Sequence, residues 1–268
     1  MRISSMGRSV FAATMIALGL LGLIKSDVAS VWQPLPKDLL AREALVYFSA
    51  FISLASGMGL LWQRGAALAS RMLLAYLLFW LLLFKMPYIF LAPTAAVSYE
   101  SCGETVVIVA GAWVLYASLA TAWDRRWFAL GTGAKGVRVA RVLYSLALIA
   151  FGLSHFAYIK ETAGLVPGWL PSHEAWAYFT GGAYIAAGIA VLTDMYARLA
   201  ATLMALQMCM FTLLVWVPAV ASGHADTFQW GELVVSWTMT AGAWVVADSY
   251  RGHLWHMRGN AVRALSTN

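Results

Sequence analysis

Charge is the scarcest feature of this chain. Only 11% of its 268 residues are Asp, Glu, Lys or Arg, against 62% hydrophobic, and the mean hydropathy is +0.73. A soluble domain carries about 25% charged residues. A chain of this length can bury a core, but not apolar side chains in such excess, so the solvent for them is lipid. Cysteine is almost absent. Cys102 and Cys209 make no CxxC and no metal-ligand spacing, and nothing in their placement supports a disulfide. The chain also lacks a P-loop, a GxGxxG after a strand, an HExxH, a nucleophile elbow and histidines paired at haem-ligand spacing. No metal site is expected. The charges that remain give a net +6. Nucleic acid is excluded as a partner, because the basic residues stand at the ends of apolar runs and form no patch interleaved with aromatics.

What is present is a series of long apolar runs, at about 10–26, 44–63, 72–92, 104–123, 141–159, 175–193, 199–218 and 231–248. A spanning helix needs about 20 residues. Strands cross a bilayer only as closed barrels, and the runs lack the alternating polar face of one. The expectation is an all-α integral membrane protein of eight transmembrane helices. The first run follows Arg2 and Arg8 and precedes the small residues Val28-Ala29-Ser30, a pattern shared with cleaved leader peptides. A retained helix is favoured because the repeat described next needs it. Thirteen basic residues fall on one side of the predicted spans, while Lys25, Lys37, Arg42 and Lys160 fall on the other and Lys85 lies within a helix. The positive-inside rule then puts both termini in the cytoplasm of a bacterial-type inner membrane.

The two halves repeat. Tyr47-Phe48-Ser49 corresponds to Tyr178-Phe179-Thr180, Gly57 to Gly188, Leu68-Ala69 to Leu199-Ala200 and Pro87 to Pro218, all at a separation of 131 positions. Gly111-Ala112-Trp113-Val114 recurs as Gly242-Ala243-Trp244-Val245 at the same offset, and Gly103-Glu104 as Gly231-Glu232 with a small slip. Two tandem parallel four-helix bundles are expected: a divergent first repeat over 1–124, a basic cytoplasmic linker over 125–141, a second repeat over 142–250 and a basic tail over 251–268 with His253 and His256.

Ionisable groups inside a membrane cost about 2.5–3.5 kcal/mol each on insertion scales, so they tend to be paired or to line a polar cavity. Lys25, Lys85 and Glu104 are such groups in the first half, and His155 and Glu232 in the second. Lys85 and His155 each stand about 21 Å up their helices from Arg71 and Arg141. All five residues are expected in the outer third of the membrane. Through the repeat Lys25 matches His155, and Glu104 matches Glu232. Each half should then offer one cation-capable group facing one carboxylate. Two readings follow: a pocket open to the outer side that handles protons near neutral pH, or an ion pair that pins helix one to helix four in each bundle. Lys85 over-supplies the first half with positive charge unless Glu100 or an anionic ligand balances it. The loop Val166-Pro167-Gly168-Trp169-Leu170-Pro171 is either a cap on that pocket or an interfacial hairpin with Trp169 among the headgroups.

Gly152-Leu153-Ser154-His155-Phe156, Val166-Pro167-Gly168-Trp169-Leu170-Pro171, Ala177-Tyr178-Phe179-Thr180-Gly181 and Ala197-Arg198-Leu199-Ala200, with Glu232 opening the last helix, resemble the DoxX-like (DoxX/DoxD) membrane proteins. The resemblance covers about 144–248. The first half looks like a divergent copy, with Lys25 in the place of His155 and no Val-Pro-Gly-Trp stretch. The resemblance implies a duplicated four-helix transmembrane unit and an association with redox systems, since relatives include subunits of a thiosulfate:quinone oxidoreductase. It implies a quinone as ligand and a redox partner subunit, because the chain shows no redox centre of its own. No cofactor motif carries over residue by residue. The alternative reading is a non-catalytic small-molecule transporter or a membrane scaffold or assembly factor.

Overall fold

A computed structural model describes residues 5–28 and 39–255. The tail beyond Trp255, Lys37 and the Gln33-Pro34-Leu35-Pro36 stretch lie outside the described residues. Eight long helices run in order: α1 Ser5–Lys25, α2 Arg42–Leu61, α3 Ala66–Leu91, α4 Ala96–Leu119, α5 Gly133–Ala157, α6 His173–Thr193, α7 Ala197–Ala221 and α8 Thr227–Asp248. Among the described residues there is no strand. Seven of the helices, α1 to α7, are long and apolar enough to cross a membrane, which makes this a multi-pass membrane protein. The eighth has the length, 22 residues, or about 33 Å. Its Thr, Ser and Gln residues make it less apolar, and it can carry them because it packs centrally, with Ser236, Thr238 and Thr240 buried.

The outside of the molecule is the apolar side. Phe51, Leu83, Phe90, Leu146, Phe179 and Leu206 are all more than half exposed, while Ser49, Ser53, Ser56, Ser70 and Ser145 are buried. That inversion is what a lipid solvent produces, since buried hydroxyls can bond within the bundle and lipid cannot satisfy them. Helix ends are marked locally. The backbone turns left-handed at Ser26 after α1, at Asp194 after α6 and at Gly223 after α7. Asp226 and Gln229 form a capping box that starts α8.

Two expectations are corrected here. The linker is shorter than 125–141: α5 begins at Gly133, so Lys135, Arg138 and Arg141 are already helical. Likewise α4 begins at Ala96, which places Glu104 eight residues inside the helix, about 12 Å from its start, instead of at its mouth. In both cases the apolar run measures contact with lipid, whereas helicity continues through polar residues that face inward or water.

A third correction concerns how the repeats pack. Within each unit, helices one to four follow one another as neighbours, but helix one does not pack along helix four of its own unit, and α5 touches α8 only slightly. Instead α1 packs on α8, and α5 packs extensively on α4. The pair α4–α8 is shared, so the eight helices form two five-membered rings: α1, α2, α3, α4, α8 and α5, α6, α7, α8, α4. The crossing of α4 and α8 is possible because Gly111 meets Gly242. A Cβ on Gly111 would lie 2.7 Å from the Gly242 Cα. These two glycines are repeat equivalents, so the crossing lies on the axis that relates the halves.

A further repeat feature is absent from the apolar pattern. Helices α3 and α7 each contain one π-helical turn, Leu81–Lys85 and Thr212–Trp216, again 131 residues apart. Each is followed two residues later by proline, Pro87 or Pro218. Proline has no N–H for the carbonyl four residues back, and the wider turn accommodates the lost bond. The turn carries Lys85 and Trp216 inward, to 3% and 5% exposure, while Leu82, Leu83, Leu213 and Leu214 stay outside.

Candidate functional site

The second ring encloses a cavity of about 470 Å³, within the ~300–1,000 Å³ range of small-molecule pockets. Helix α4 brings Glu100 and Glu104 to it, α5 His155, α7 Gln207, and α8 Glu232 and Ser236. Phe151, Tyr184, Met208, Phe211, Trp216 and Met239 supply apolar wall. The stretch Val166–Leu170 lines it as well, with Trp169 on the rim. The Glu100 and Glu104 spacing is one helical turn, which puts both carboxylates on one face of α4.

The groups are held in distinct ways. The His155 Nδ1 is 2.7 Å from the Phe151 carbonyl oxygen. A carbonyl only accepts, so Nδ1 carries the hydrogen and Nε2 of the neutral ring is left as the base. The imidazole packs edge-on against Tyr184, with ring centroids 5.3 Å apart. Gly181 makes room for this residue, since a Cβ there would come within 2.8 Å of the His155 Cβ. Lys85 stands behind the wall and donates to Ser101 Oγ at 2.6 Å. Its charge reaches both Glu104 and Glu232, and Glu104 also feels Glu100 and Glu232. Three carboxylates against this one lysine give the cavity groups that can hold and release protons. The Trp216 Nε1–H is buried at the cavity with no hydrogen-bond partner. A buried donor left unpaired costs about 1–3 kcal/mol, which a ligand oxygen would relieve.

The structure therefore brings His155, Glu104 and Glu232 to one cavity, with Lys85 adjoining it. It does not place them as one pair in each half. Glu104 comes from the first repeat and faces the second-half cavity, because α4 closes the second ring. Lys25 lies elsewhere, on a separate cavity in the first ring. No ion pair joins helix one to helix four within either unit among the described residues, and His155 bonds a backbone carbonyl instead of Glu232. Cys102 and Cys209 are both free. Sequence reasoning missed Gln207, Tyr184 and the Trp216 N–H as cavity groups. Gln207 was visible as an amide within an apolar run. The other two were not, because their inward direction depends on packing and on the π turn.

At the opposite end of the helices, arginines tie the interhelical segments down. Arg71 pairs with Asp124, donating from Nη2 to Oδ2 at 2.9 Å with Nε 2.7 Å from Oδ1 in the ion pair, and lies 4.6 Å over the Trp123 ring. Burial alone would raise the Asp124 carboxyl, but hydrogen bonds from Arg71 and Thr121, together with the guanidinium charge, hold it at about 2. Arg198, which is not the repeat equivalent of Arg71, makes a comparable anchor without a carboxylate: it donates to the His253 carbonyl at 2.8 Å and lies 3.9 Å over Trp255.

Fold and cavities together define a polytopic helical membrane protein built from two interlocked repeats, each ring holding an internal cavity. Residues 144–247 match a family described as "Domain of unknown function (DUF8561)", a stretch that covers the second repeat. No curated protein and no solved structure matches the chain.

Proposed function

We propose that the chain is an eight-span, DoxX-like inner-membrane protein with both termini cytoplasmic, whose second-ring cavity binds a quinone-type ring and manages its protons for a redox partner subunit. The observation that carries this reading is the combination in one aromatic-walled cavity of a histidine base, three carboxylates and an unpartnered Trp216 N–H. A quinone carbonyl is an acceptor that such a donor fits. The quinone supplies reversible two-electron, two-proton chemistry when bound, with the electrons delivered by the partner.

The chain's own residues handle the remaining tasks. Trp216 Nε1–H anchors an acceptor oxygen. His155 Nε2 takes or gives a proton on the α5 side, and Glu232 does so from α8. Glu100 and Glu104 extend that proton store, and Lys85 offsets part of its charge. Orientation is supported by the basic residues that gather at the ends bearing Arg71, Arg125, Arg126 and Arg141.

The test is to purify the protein in mild detergent, extract bound lipophilic molecules and identify them by mass spectrometry, comparing wild type with His155→Ala and Glu232→Gln. Quinone retained by wild type and lost from both variants at unchanged thermal stability is the expected result. No quinone in any sample, with all three equally stable, overturns it. One observation favours a second reading, passage of a small molecule through the membrane: the two rings hold related cavities, as parallel-repeat transporters place substrate between repeats. In that case the variants would abolish uptake into proteoliposomes without any bound quinone.

A further inference from the structure

The first ring contains a cavity of about 580 Å³, and its position is set by the repeat. Val46, Ser49, Ser53 and Tyr76 line it, and their equivalents 131 residues later, Ala177, Thr180, Tyr184 and Gln207, line the second-ring cavity. On the first helix the place of His155, against Gly181, is taken by Gly22, against Ala50, and Lys25 stands about one turn beyond it. The cavity is therefore a duplicated property of the fold. Its chemistry has diverged. Where α4 brings Glu100 and Glu104 to the second ring, α8 brings Trp230, Gly231 and Val234 to the first.

Charge in this cavity is arranged differently as well. Its two carboxylates are both occupied: Asp27 pairs with Arg42 at 2.5 Å and accepts from the Val28 N–H, and Asp226 accepts from the Gln229 N–H as the cap of α8. Lys25 makes no hydrogen bond or ion pair among the described residues. Ser49, a turn deeper, is 4% exposed, and its hydroxyl has no partner. The start of α8, a 22-residue helix, adds first-turn N–H groups to the same rim. Beneath the rim the lining is apolar: Leu18, Leu21, Val46, Ala50 and Val234.

We propose that the first-ring cavity is a second, chemically distinct site that takes an amphiphile with an anionic head, seated on Lys25 and Ser49, and an apolar tail. A free long-chain carboxylic acid and an acidic phospholipid share that chemistry. The site is independent of the quinone reading, since none of its residues lines the other cavity.

The experiment uses the full chain in lipid nanodiscs of phosphatidylcholine and follows dansyl-undecanoic acid by fluorescence. Wild type binds saturably. Lys25→Gln weakens binding about tenfold or more, as loss of a charge-assisted hydrogen bond does, and Lys25→Arg retains it. Ser49→Ala weakens it severalfold. Dansyl-undecanol binds wild type no better than the acid binds Lys25→Gln. Displacement by oleate identifies a free acid as the source, and displacement by phosphatidylglycerol alone identifies a lipid headgroup. Glu232→Gln leaves the titration unchanged. Equal affinity of wild type and Lys25→Gln at matched thermal stability, or equal affinity for acid and alcohol, overturns the proposal. Lys25 is exposed, so its variants fold.

Discussion

The two cavities show how one scaffold comes to serve two chemistries. Both rings place a serine or threonine, a residue one turn further along the same helix, and a residue from helix three at equivalent positions around an empty centre. In the second ring those positions carry Thr180, Tyr184 and Gln207, and α4 adds two carboxylates. In the first they carry Ser49, Ser53 and Tyr76, Gly22 takes the place of His155, and the cation Lys25 stands about one turn further out. What differs is the helix that closes each ring. Because α4 and α8 are shared by the two rings, each cavity takes part of its wall from the other repeat. Divergence in one copy therefore alters the chemistry of the other copy's cavity.

The largest effect should come from breaking what the two cavities share. Gly111→Leu forces a side chain into the Gly242 backbone and should destabilise the protein by about 3 kcal/mol, lowering thermal stability in detergent and disturbing both cavities. Gly188→Leu, against the Ser145 carbonyl, and Gly57→Leu, against the Ala12 carbonyl, should each harm one ring. Ligand retention in the untouched ring would then sharpen the comparison, and loss in both would break it.

Next in size is the contrast between the arginine anchors. Asp124→Asn should cost about 2 kcal/mol by weakening the charged hydrogen bonds from Arg71, and Arg198→Gln about 1 kcal/mol, since Arg198 bonds only a carbonyl. The Asp124 carboxyl is depressed to about 2 in the folded protein. Its stabilisation is complete above the unfolded value of about 3.9 and is lost as pH falls through about 2. Thermal unfolding followed from pH 6 downward should therefore show the wild-type advantage over Asp124→Asn shrinking below about pH 4. An advantage that stays constant would mean the carboxylate charge is not what anchors the segment.

A smaller change in stability, but a larger one in binding, is expected from the acidic cavity. Glu104→Gln should abolish ligand retention in the second ring although it lies in the first repeat, which tests the exchange of walls directly. Retention by that variant would argue that each repeat works alone. Smallest of all, Pro218→Ala should change stability by less than about 1 kcal/mol. By restoring an N–H to α7 it should nonetheless relax the π turn and move Trp216, detectable as a shifted indole emission on ligand addition. Pro87→Ala should leave that signal alone.

Much of this was readable before any coordinates. The apolar runs located all eight helices, and the 131-residue offset located the repeat, because lipid contact and close helix packing demand residue types that show in a linear string. The ends of α4 and α5 were misjudged by up to eight residues, since polar residues that face a cavity or an aqueous rim interrupt hydropathy without interrupting a helix. His155, Glu104 and Glu232 stood out as costly intramembrane groups. Their grouping was misread, as a pair in each half, because equivalence within a repeat says nothing about which copy's helix lies opposite.

The sequence by itself determined the solvent, the helices, the duplication and the inventory of buried ionisable groups, all of which follow from local composition and period. Only the tertiary structure decided that α1 docks on α8 and α5 on α4. It also decided that a π turn carries Lys85 and Trp216 inward, and that Lys25 is parted from the carboxylates. These depend on contacts between residues more than a hundred positions apart, where a glycine crossing and one extra residue in a turn choose the partner, and no local pattern records that choice.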